Sequence, residues 1–459
     1  MGVAVSNWRL ANAVARRGQL GVVSATALDT VLVRRLQDGD PEGAIRRSMA
    51  RFPVPGVAER VLHRYFLPAG RAPDQPYAML PMYRQRVSVA RQQITMLAAF
   101  VEVDLAKEGH GGLVGVNLLT KVQLPNLASL YGAMLADVDY VLMGAGIPRE
   151  IPGALDALAR HATATLRLDV EGAGPGENVD LTFDPLAHLE GITLPPLRRP
   201  KFLAIIASNS LATVLARKAS GRVDGFVVEG PTAGGHNAPP RGAPQFNERG
   251  EPLYGERDVV DLTKLAELGL PFWVAGGAGT PEGVRAAQAS GAAGVQVGTL
   301  FAWCDEAGIT EPLKRDVLHH VGRGDVTVFT DPLASPTGYP FKVVQLPGAE
   351  APERERVCDL GYLRTAYRGA DGRLDYRCPA EPLETYLRKG GTLQDAVGRR
   401  CLCNALTADV GLGQVRKDGS VEPPLLTSGD DLTGMGKFLD GRDHYSAADV
   451  IDYLLTPAS

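Results

Sequence analysis

No run of eighteen uncharged apolar residues occurs in this sequence, so no segment reads as a membrane span. Cysteine is scarce, five in 459 residues, too few for a disulfide framework at this length. The opening stretch MGVAVSNWRL has no basic region leading into an apolar one. No secretory signal is legible there, and the sequence reads as cytoplasmic. An excess of one charge is also missing. The 48 Lys and Arg against 52 Asp and Glu leave a net of −4, which argues against a nucleic-acid binder working through a basic face. Long repeats and low-complexity tracts are absent as well. What is present is an ordinary globular balance, 45% hydrophobic and 22% charged. The 53 glycines and 33 prolines follow no collagen-like period and so indicate many turns and backbone-lined sites.

Over the first three hundred residues, short apolar runs alternate with stretches of helical period. The runs are LGVVSA (20–25), LVGVNLL (113–119), DYVLMGAG (139–146), KFLAIIAS (201–208), GFVVEG (225–230), PFWVAGG (271–277) and GVQVGTLF (294–301). Apolar on both faces and too short for helices, they read as buried parallel strands. Between them lie helix candidates such as SLATVLARKASG, ending at Gly221, and TPEGVRAAQASG, with Thr280 as N-cap and Pro281 in the first turn. The fold class is α/β, and the alternation predicts a TIM-type (β/α)8 parallel barrel with its site at the C-terminal strand ends. Seven strands are one short of that barrel. Residues 6–18 read as the first helix, so the eighth strand is expected before them.

The predicted barrel occupies residues 1–310, with a helical insertion at 28–110. There Asp40-Pro41-Glu42 opens a capped helix, and residues 88–107 carry Ile94, Leu97, Val101 and Leu105 at helical spacing. Residues 171–200 are a Gly/Pro-rich surface excursion. A C-terminal extension at 311–459 holds a strand pair, DVTVFT (325–330) and FKVVQL (341–346), and four cysteines. Cys358, Cys378, Cys401 and Cys403 can hold an iron–sulfur cluster or zinc, since thiolates suit both, and Arg377, Arg399 and Arg400 nearby would favour thiolates. The alternative is four unlinked thiols. Cys304 lies apart, in the helix after the last strand, and His319 and His320 read as a helix end.

Two loops carry the chemistry. The turns at Gly276-Gly277-Ala278-Gly279 and at Gly298-Thr299 crowd backbone N–H groups ahead of helix starts, where orphan donors and the macrodipole favour an anion such as phosphate. The first does not match G-x-G-x-x-G, so a Rossmann dinucleotide unit is disfavoured. In the second loop, Gly234 and Gly235 precede His236. An imidazole titrating near neutrality at a strand's C-terminal end suits proton abstraction beside an activating group.

EGPTAGGH (229–236), VAGGAGTPEGVRAAQASGAAGVQVGTLF (274–301) and GVNLL (115–119), in this combination, resemble the nitronate monooxygenase family. These are FMN-dependent barrel enzymes, formerly called 2-nitropropane dioxygenases, with flavin enoyl-ACP reductases as relatives. The resemblance runs over roughly residues 2–305. It implies FMN with its phosphate on Gly276, Gly277, Gly298 and Thr299, Asn117 beside the flavin, Gly234 and Gly235 bordering it, and His236 as the catalytic histidine. Where the family usually reads E-A-G-G-H, Thr232 replaces the glutamate.

The expected function is therefore an FMN-dependent oxidoreductase that oxidises nitronates or similar carbanion-forming small molecules with O2. Two alternatives stay open. One is a flavin acyl-thioester reductase or dehydrogenase, with NAD(P)H or an acyl carrier as partner; Met79, Met82 and Met96 of the insertion could line a long pocket, although ordinary core packing is the stronger reading of them. The other is a non-catalytic barrel subunit. An iron–sulfur or zinc site in the extension is the further cofactor expectation.

Overall fold

A computed structural model describes residues 2–174, 176–348 and 355–457. Seven strands form one parallel sheet in sequence order: β1 (Gly21–Ser24), β2 (Val114–Leu119), β3 (Tyr140–Gly144), β4 (Lys201–Ile206), β5 (Gly225–Glu229), β6 (Phe272–Ala275) and β7 (Gly294–Gln296). Each pairs in parallel with the next, as Asn117 does with Leu142 and Glu229 with Ala275. Val116, Val141, Phe202 and Phe226 are completely buried, which is why these runs carry no polar alternation. Helices cover the sheet's outer face, and the sheet curls as a barrel wall does.

The eighth strand expected before residue 6 is not formed among the described residues. Residues 2–6 instead make turns at the rim, where Ser24 N donates to Ser6 O at 2.9 Å and Gly308 N donates to Val5 O at 2.9 Å. A seam therefore separates the β1 and β7 edges. Helix α1 (Trp8–Arg16), capped by Asn7, lies along it and presses on β1 so closely that a Cβ on Gly21 would fall 1.9 Å from Ala11 O.

The insertion folds as helices Leu28–Gln37 (α2), Ala44–Met49, Val57–Tyr65 and Val89–Ala106 (α3). The Asp40 carboxylate accepts from Ile45 N and Arg46 N, so it caps a helix that starts two residues later than Glu42. Ser88 caps α3, and Met96 at 0% exposure is core, as are the surroundings of Leu97 and Leu105. The excursion contributes a strand pair, Ala164–Arg167 with Asp180–Phe183. Val170–Glu171 also pairs in parallel with Ala366–Tyr367 of the extension.

The extension packs directly on the barrel. Its strands β8 (Thr327–Asp331) and β9 (Phe341–Gln345) pair antiparallel, as the sequence indicates. Residues from both ends of the chain share one apolar cluster, with Leu10 and Val14 of α1 beside Trp303, Phe438 and Ile451. Helix α4 (Pro281–Ala289) starts at Thr280, whose hydroxyl accepts from Gly283 N, and helix α5 (Ala447–Leu454) packs against both α1 and α4 across the seam. No helix of the described residues is long and apolar enough to cross a membrane.

Candidate active site

The C-terminal ends of the strands open on a cavity of about 510 Å³, a size suited to a small-molecule or cofactor site. Asn117, Gly234, Gly235, His236, Gly276, Gly298 and Thr299 all line it, so of the residues expected to bind the cofactor or act in catalysis all but Gly277 meet in one chamber.

Gly276 and Gly277 have φ of +86° and +71°, a left-handed turn that L side chains rarely adopt. A Cβ on Gly276 would also stand 2.8 Å from Ala233 N. Gly298 differs. Its φ is −115° and a Cβ there would meet nothing within 4 Å, so the space beside it belongs to the cavity and not to the protein. The N–H groups of Gly277, Gly298 and Thr299 have no hydrogen-bond partner among the described residues. Gly298 and Thr299 line the cavity, Gly277 stands in the turn behind Gly276, and free donors beside an open cradle fit a phosphate group. The N–H of Gly279 is already engaged, by the carboxylate of Asp431 from the extension. Burial, with Asp430 adding to it, pushes that carboxyl above its ordinary range. On the cavity wall, the buried Asn117 side chain has no partner among the described residues, which leaves its amide available to a planar ligand.

Gly234 and Gly235 have tighter roles than the resemblance implies. A Cβ on Gly234 would lie 2.7 Å from Gly429 N, so the extension's backbone requires that glycine. The Gly235 N–H donates to Thr427 Oγ1 at 3.0 Å, and its carbonyl accepts from Lys342 N at 2.9 Å. The Gly235 backbone groups thus hold the extension, and its N–H is not offered to a ligand. Thr299 likewise accepts from Gly429 N through Oγ1.

β9 runs beside the histidine loop, with Asn237 N donating to Pro340 O and an antiparallel bridge between His236 and Phe341. The imidazole packs edge-on against the Phe341 ring, centroids 4.8 Å apart. Its Nε2 bonds Ser335 Oγ at 2.7 Å, and Ser335 bonds Thr337 Oγ1 at 2.8 Å. Nδ1 has no partner among the described residues. Burial, and then the positive field of Lys121, push the imidazole down to about 3. The expectation of a histidine titrating near neutrality is thus corrected, because the chamber holds it neutral. Lys121, lowered to about 8 by burial, sits 3.0 Å from the Tyr339 ring centre and pairs with no carboxylate among the described residues.

The cysteines are neighbours but not a metal cage. The Cys403 thiol is raised by a hydrogen bond with Cys401, by burial and by the fields of Cys401, Cys358 and Cys378. Burial pushes Cys378 up to about 12 and raises Cys358. Of the three arginines expected to favour thiolates, Arg377 is engaged on Glu171 and Arg399 on backbone carbonyls. Among the described residues no group of three or more His, Cys, Asp or Glu is placed to hold a metal ion. Cys304, expected in a helix, is buried just beyond one and donates to Phe301 O. None of Met79, Met82 and Met96 lines the cavity, so the methionine-lined pocket is not formed, and Met96 packs in the core.

Sequence reasoning did not bring Ser335, Phe341, Tyr362 and Asp431 to this site, all contributed by the extension and far from the barrel loops in sequence, and it read Cys403 as a metal ligand and not as part of this wall. It also passed over Glu229, which stands inside the quoted EGPTAGGH and carries a detectable signal, a carboxylate ending an otherwise apolar strand.

Residues 194–340 match the nitronate monooxygenase family model. A probable nitronate monooxygenase of Staphylococcus haemolyticus (strain JCSC1435) is 32% identical over 136 residues, 29% of this chain and 36% of that protein. The match thus spans about a third of that relative's length. Among solved structures, FabK from Thermotoga maritima aligns over 99% of this chain and 90% of its own at 16% identity and TM-score 0.45. A nitroalkane oxidase from Streptomyces ansochromogenes aligns over 99% and 92% at 15% identity and TM-score 0.47. Residues 194–340, which supply β4 to β7, the His236 loop and both glycine turns, are thus the part of this chain that is similar to the nitronate monooxygenase family.

Proposed function

We propose that this protein is an FMN-dependent oxidoreductase of the nitronate monooxygenase type, oxidising nitronates or similar carbanion-forming small molecules with O2. The observation that carries the reading is the meeting of His236 with unpartnered turn N–H groups on the walls of one chamber. FMN, when bound, would supply electron acceptance and reaction with O2. Gly277, Gly298 and Thr299 would hold its phosphate through backbone N–H groups, with Gly276 shaping the turn and Asn117 beside the ring system.

His236 is the residue that handles the substrate proton. Ser335 fixes Nε2, which leaves Nδ1 to accept a proton from carbon next to an activating group. The neutral form is the one that can accept it. An anionic substrate beside the imidazole offsets the Lys121 field, so basicity rises when such a substrate arrives. A nitronate is already deprotonated, and the same Lys121 charge attracts it. In this reading the extension at 311–459 completes the site of the barrel at 1–310, because Ser335, Phe341 and Tyr362 all belong to it. The acyl-thioester alternative has lost the methionine-lined pocket that motivated it, and the cysteine geometry adds nothing to a metal centre.

The test is anaerobic mixing of FMN-reconstituted protein with a nitronate, a nitroalkane or NAD(P)H while the flavin absorbance is followed. Bleaching by the nitro compounds is expected. His236→Ala should retain FMN and slow reduction by the nitroalkane by roughly 10²–10⁴-fold, the span of a general base. Bleaching by NAD(P)H alone, or undiminished reduction in the variant, would overturn the reading.

A further inference from the structure

Residues 428–431 bring the extension onto the two glycine turns. Gly429 N donates to Thr299 Oγ1 at 3.1 Å, and Asp430 N donates to Thr232 O at 3.0 Å. Asp431 lines the chamber, and its carboxylate accepts from Gly279 N. A Cβ on Gly279 would stand 2.9 Å from Asp431 Oδ2 and 3.8 Å from Leu300 Cδ1, so this carboxylate sits where the two turns meet. The extension thus sets an anion of the chain's own at the start of α4, beside the free N–H groups of Gly277, Gly298 and Thr299. Among the described residues no lysine or arginine forms an ion pair with it. Ser428, 3% exposed, also lines the chamber, and its Oγ has no partner among the described residues.

A phosphate entering this cradle is a second anion at one helix start. The donors favour negative charge there, but like charges at close range drive one of the two to take a proton. A protonated carboxyl also gains an O–H that a phosphate oxygen can accept.

We infer that Asp431 is part of the phosphate cradle and takes up a proton when the phosphate binds, so that the extension couples flavin loading to pH. The inference rests on the FMN reading above and adds a residue outside the matched segment 194–340. The surrounding charges leave this carboxyl as the group that gives way. Burial raises it, the Gly279 N–H opposes that, and Asp430 raises it further. Lys342 is occupied by Asp430. From β8, Asp331 accepts from Leu333 N and Ala334 N. On the helix Glu311–Arg323, Lys314 is held by Glu311 and by the carbonyls of Cys304 and Asp305, and His320 and Arg323 by Asp325. Arg315, Asp316 and His319 of that helix are exposed. The short helix Thr299–Ala302 has no titratable side chain. Across the chamber His236 is held neutral, and burial lifts Glu229 to about 7. Because the proton binds with the phosphate, FMN affinity falls as pH rises from the carboxyl's free pKa to its pKa in the complex, by up to about tenfold per pH unit.

The experiment is isothermal titration calorimetry of the apoprotein with FMN or riboflavin, in buffers of differing ionisation enthalpy, using wild type and Asp431→Asn. The asparagine oxygen can still accept from Gly279 N. At pH 7.5 free FMN is mostly a dianion, since such a phosphate has its second pKa at about 6. Wild type should there take up about one proton more with FMN than with riboflavin, which lacks the phosphate, whereas any contribution of Glu229 is common to both ligands. Asp431→Asn should lose that excess. It should also bind FMN more tightly than wild type by a factor that grows between pH 6.5 and 8.5, reaching about tenfold or more. No excess uptake with FMN in wild type, or an affinity ratio between the two proteins that does not change with pH, would overturn the inference and leave the FMN reading intact. Wild type that binds neither FMN nor riboflavin would remove both.

Discussion

Asp29 and Arg91 form an ion pair of 2.6 Å at 2% and 4% side-chain exposure, joining α2 to α3. Tyr362 of the extension donates its hydroxyl to the same carboxylate, as does Thr95 at 3.0 Å, and Tyr362 also lies 2.7 Å from Thr30 Oγ1. Burial opposes the charge on Asp29. The Arg91 charge and the hydrogen bonds of Tyr362, Arg91 and Thr30 outweigh it, so the carboxyl titrates below its ordinary value. Asp29→Asn keeps the shape and leaves Arg91 buried without its counter-charge, which costs about 3–5 kcal/mol. Tyr362→Phe removes one hydrogen bond to a charged acceptor, about 1.5–3 kcal/mol. The two should not add, because the tyrosine's contribution depends on the charge it donates to, and a coupling of about 1 kcal/mol or more is expected. Urea denaturation, with hydrogen exchange of the α3 amides as the local readout, measures all four corners of the cycle. The pH sign follows from the depressed pKa. This stabilisation is present above pH 3.8 and is lost as pH falls through the folded value, so wild type and Asp29→Asn converge at the acid end. A loss below about 1 kcal/mol for Asp29→Asn, or a strictly additive double variant, would refute the reasoning.

Gly298→Val adds methyl groups only to the chamber, since a Cβ there meets no protein atom, so its melting temperature should stay at the wild-type value while bound FMN falls about tenfold or more through steric exclusion. Full FMN content in that variant would remove the phosphate assignment. Gly234→Ala forces a Cβ against Gly429 N and Ser428 C, both at 2.7 Å, and should cost about 1–3 kcal/mol through overpacking. Limited proteolysis should then cut near 428–431 faster than in wild type, and an unchanged digestion pattern would contradict the close approach.

Local pattern made the parallel strands legible. A run such as GVNLL, buried on both faces, has nowhere to go but the middle of a sheet, and Thr280 followed by Pro281 announces its helix by cap and first turn. The glycine turns were legible for the same reason, since a left-handed φ at Gly276 and Gly277 is a property of a few adjacent residues. What stayed hidden depends on contacts between distant residues. Ser335 is 99 residues from His236, Gly429 is 130 from Thr299, and Tyr362 is 333 from Asp29. No periodicity encodes such meetings. The basicity of His236 was misjudged from sequence because desolvation is set by Phe341 and the other elements that enclose the imidazole, none of which the GGH motif reveals. The cysteine spacing was equally uninformative, because it brings thiols near one another without assembling, among the described residues, a group placed to hold a metal ion.

The seam between β1 and β7 bears on how the molecule is made in a cell. Its covering helix, α5, comes at residues 447–454, and the strand that clamps the histidine loop at 341–345. At 5–20 residues per second, a ribosome needs on the order of 10–30 s to pass from the last sheet strand to α5. For that interval the emerging sheet has two unpaired edges and an uncovered apolar flank, the features that invite edge-to-edge association. Translation pauses placed in the last third of the message would lengthen this exposure. Soluble yield should therefore depend more steeply on codon choice after residue 310 than before it.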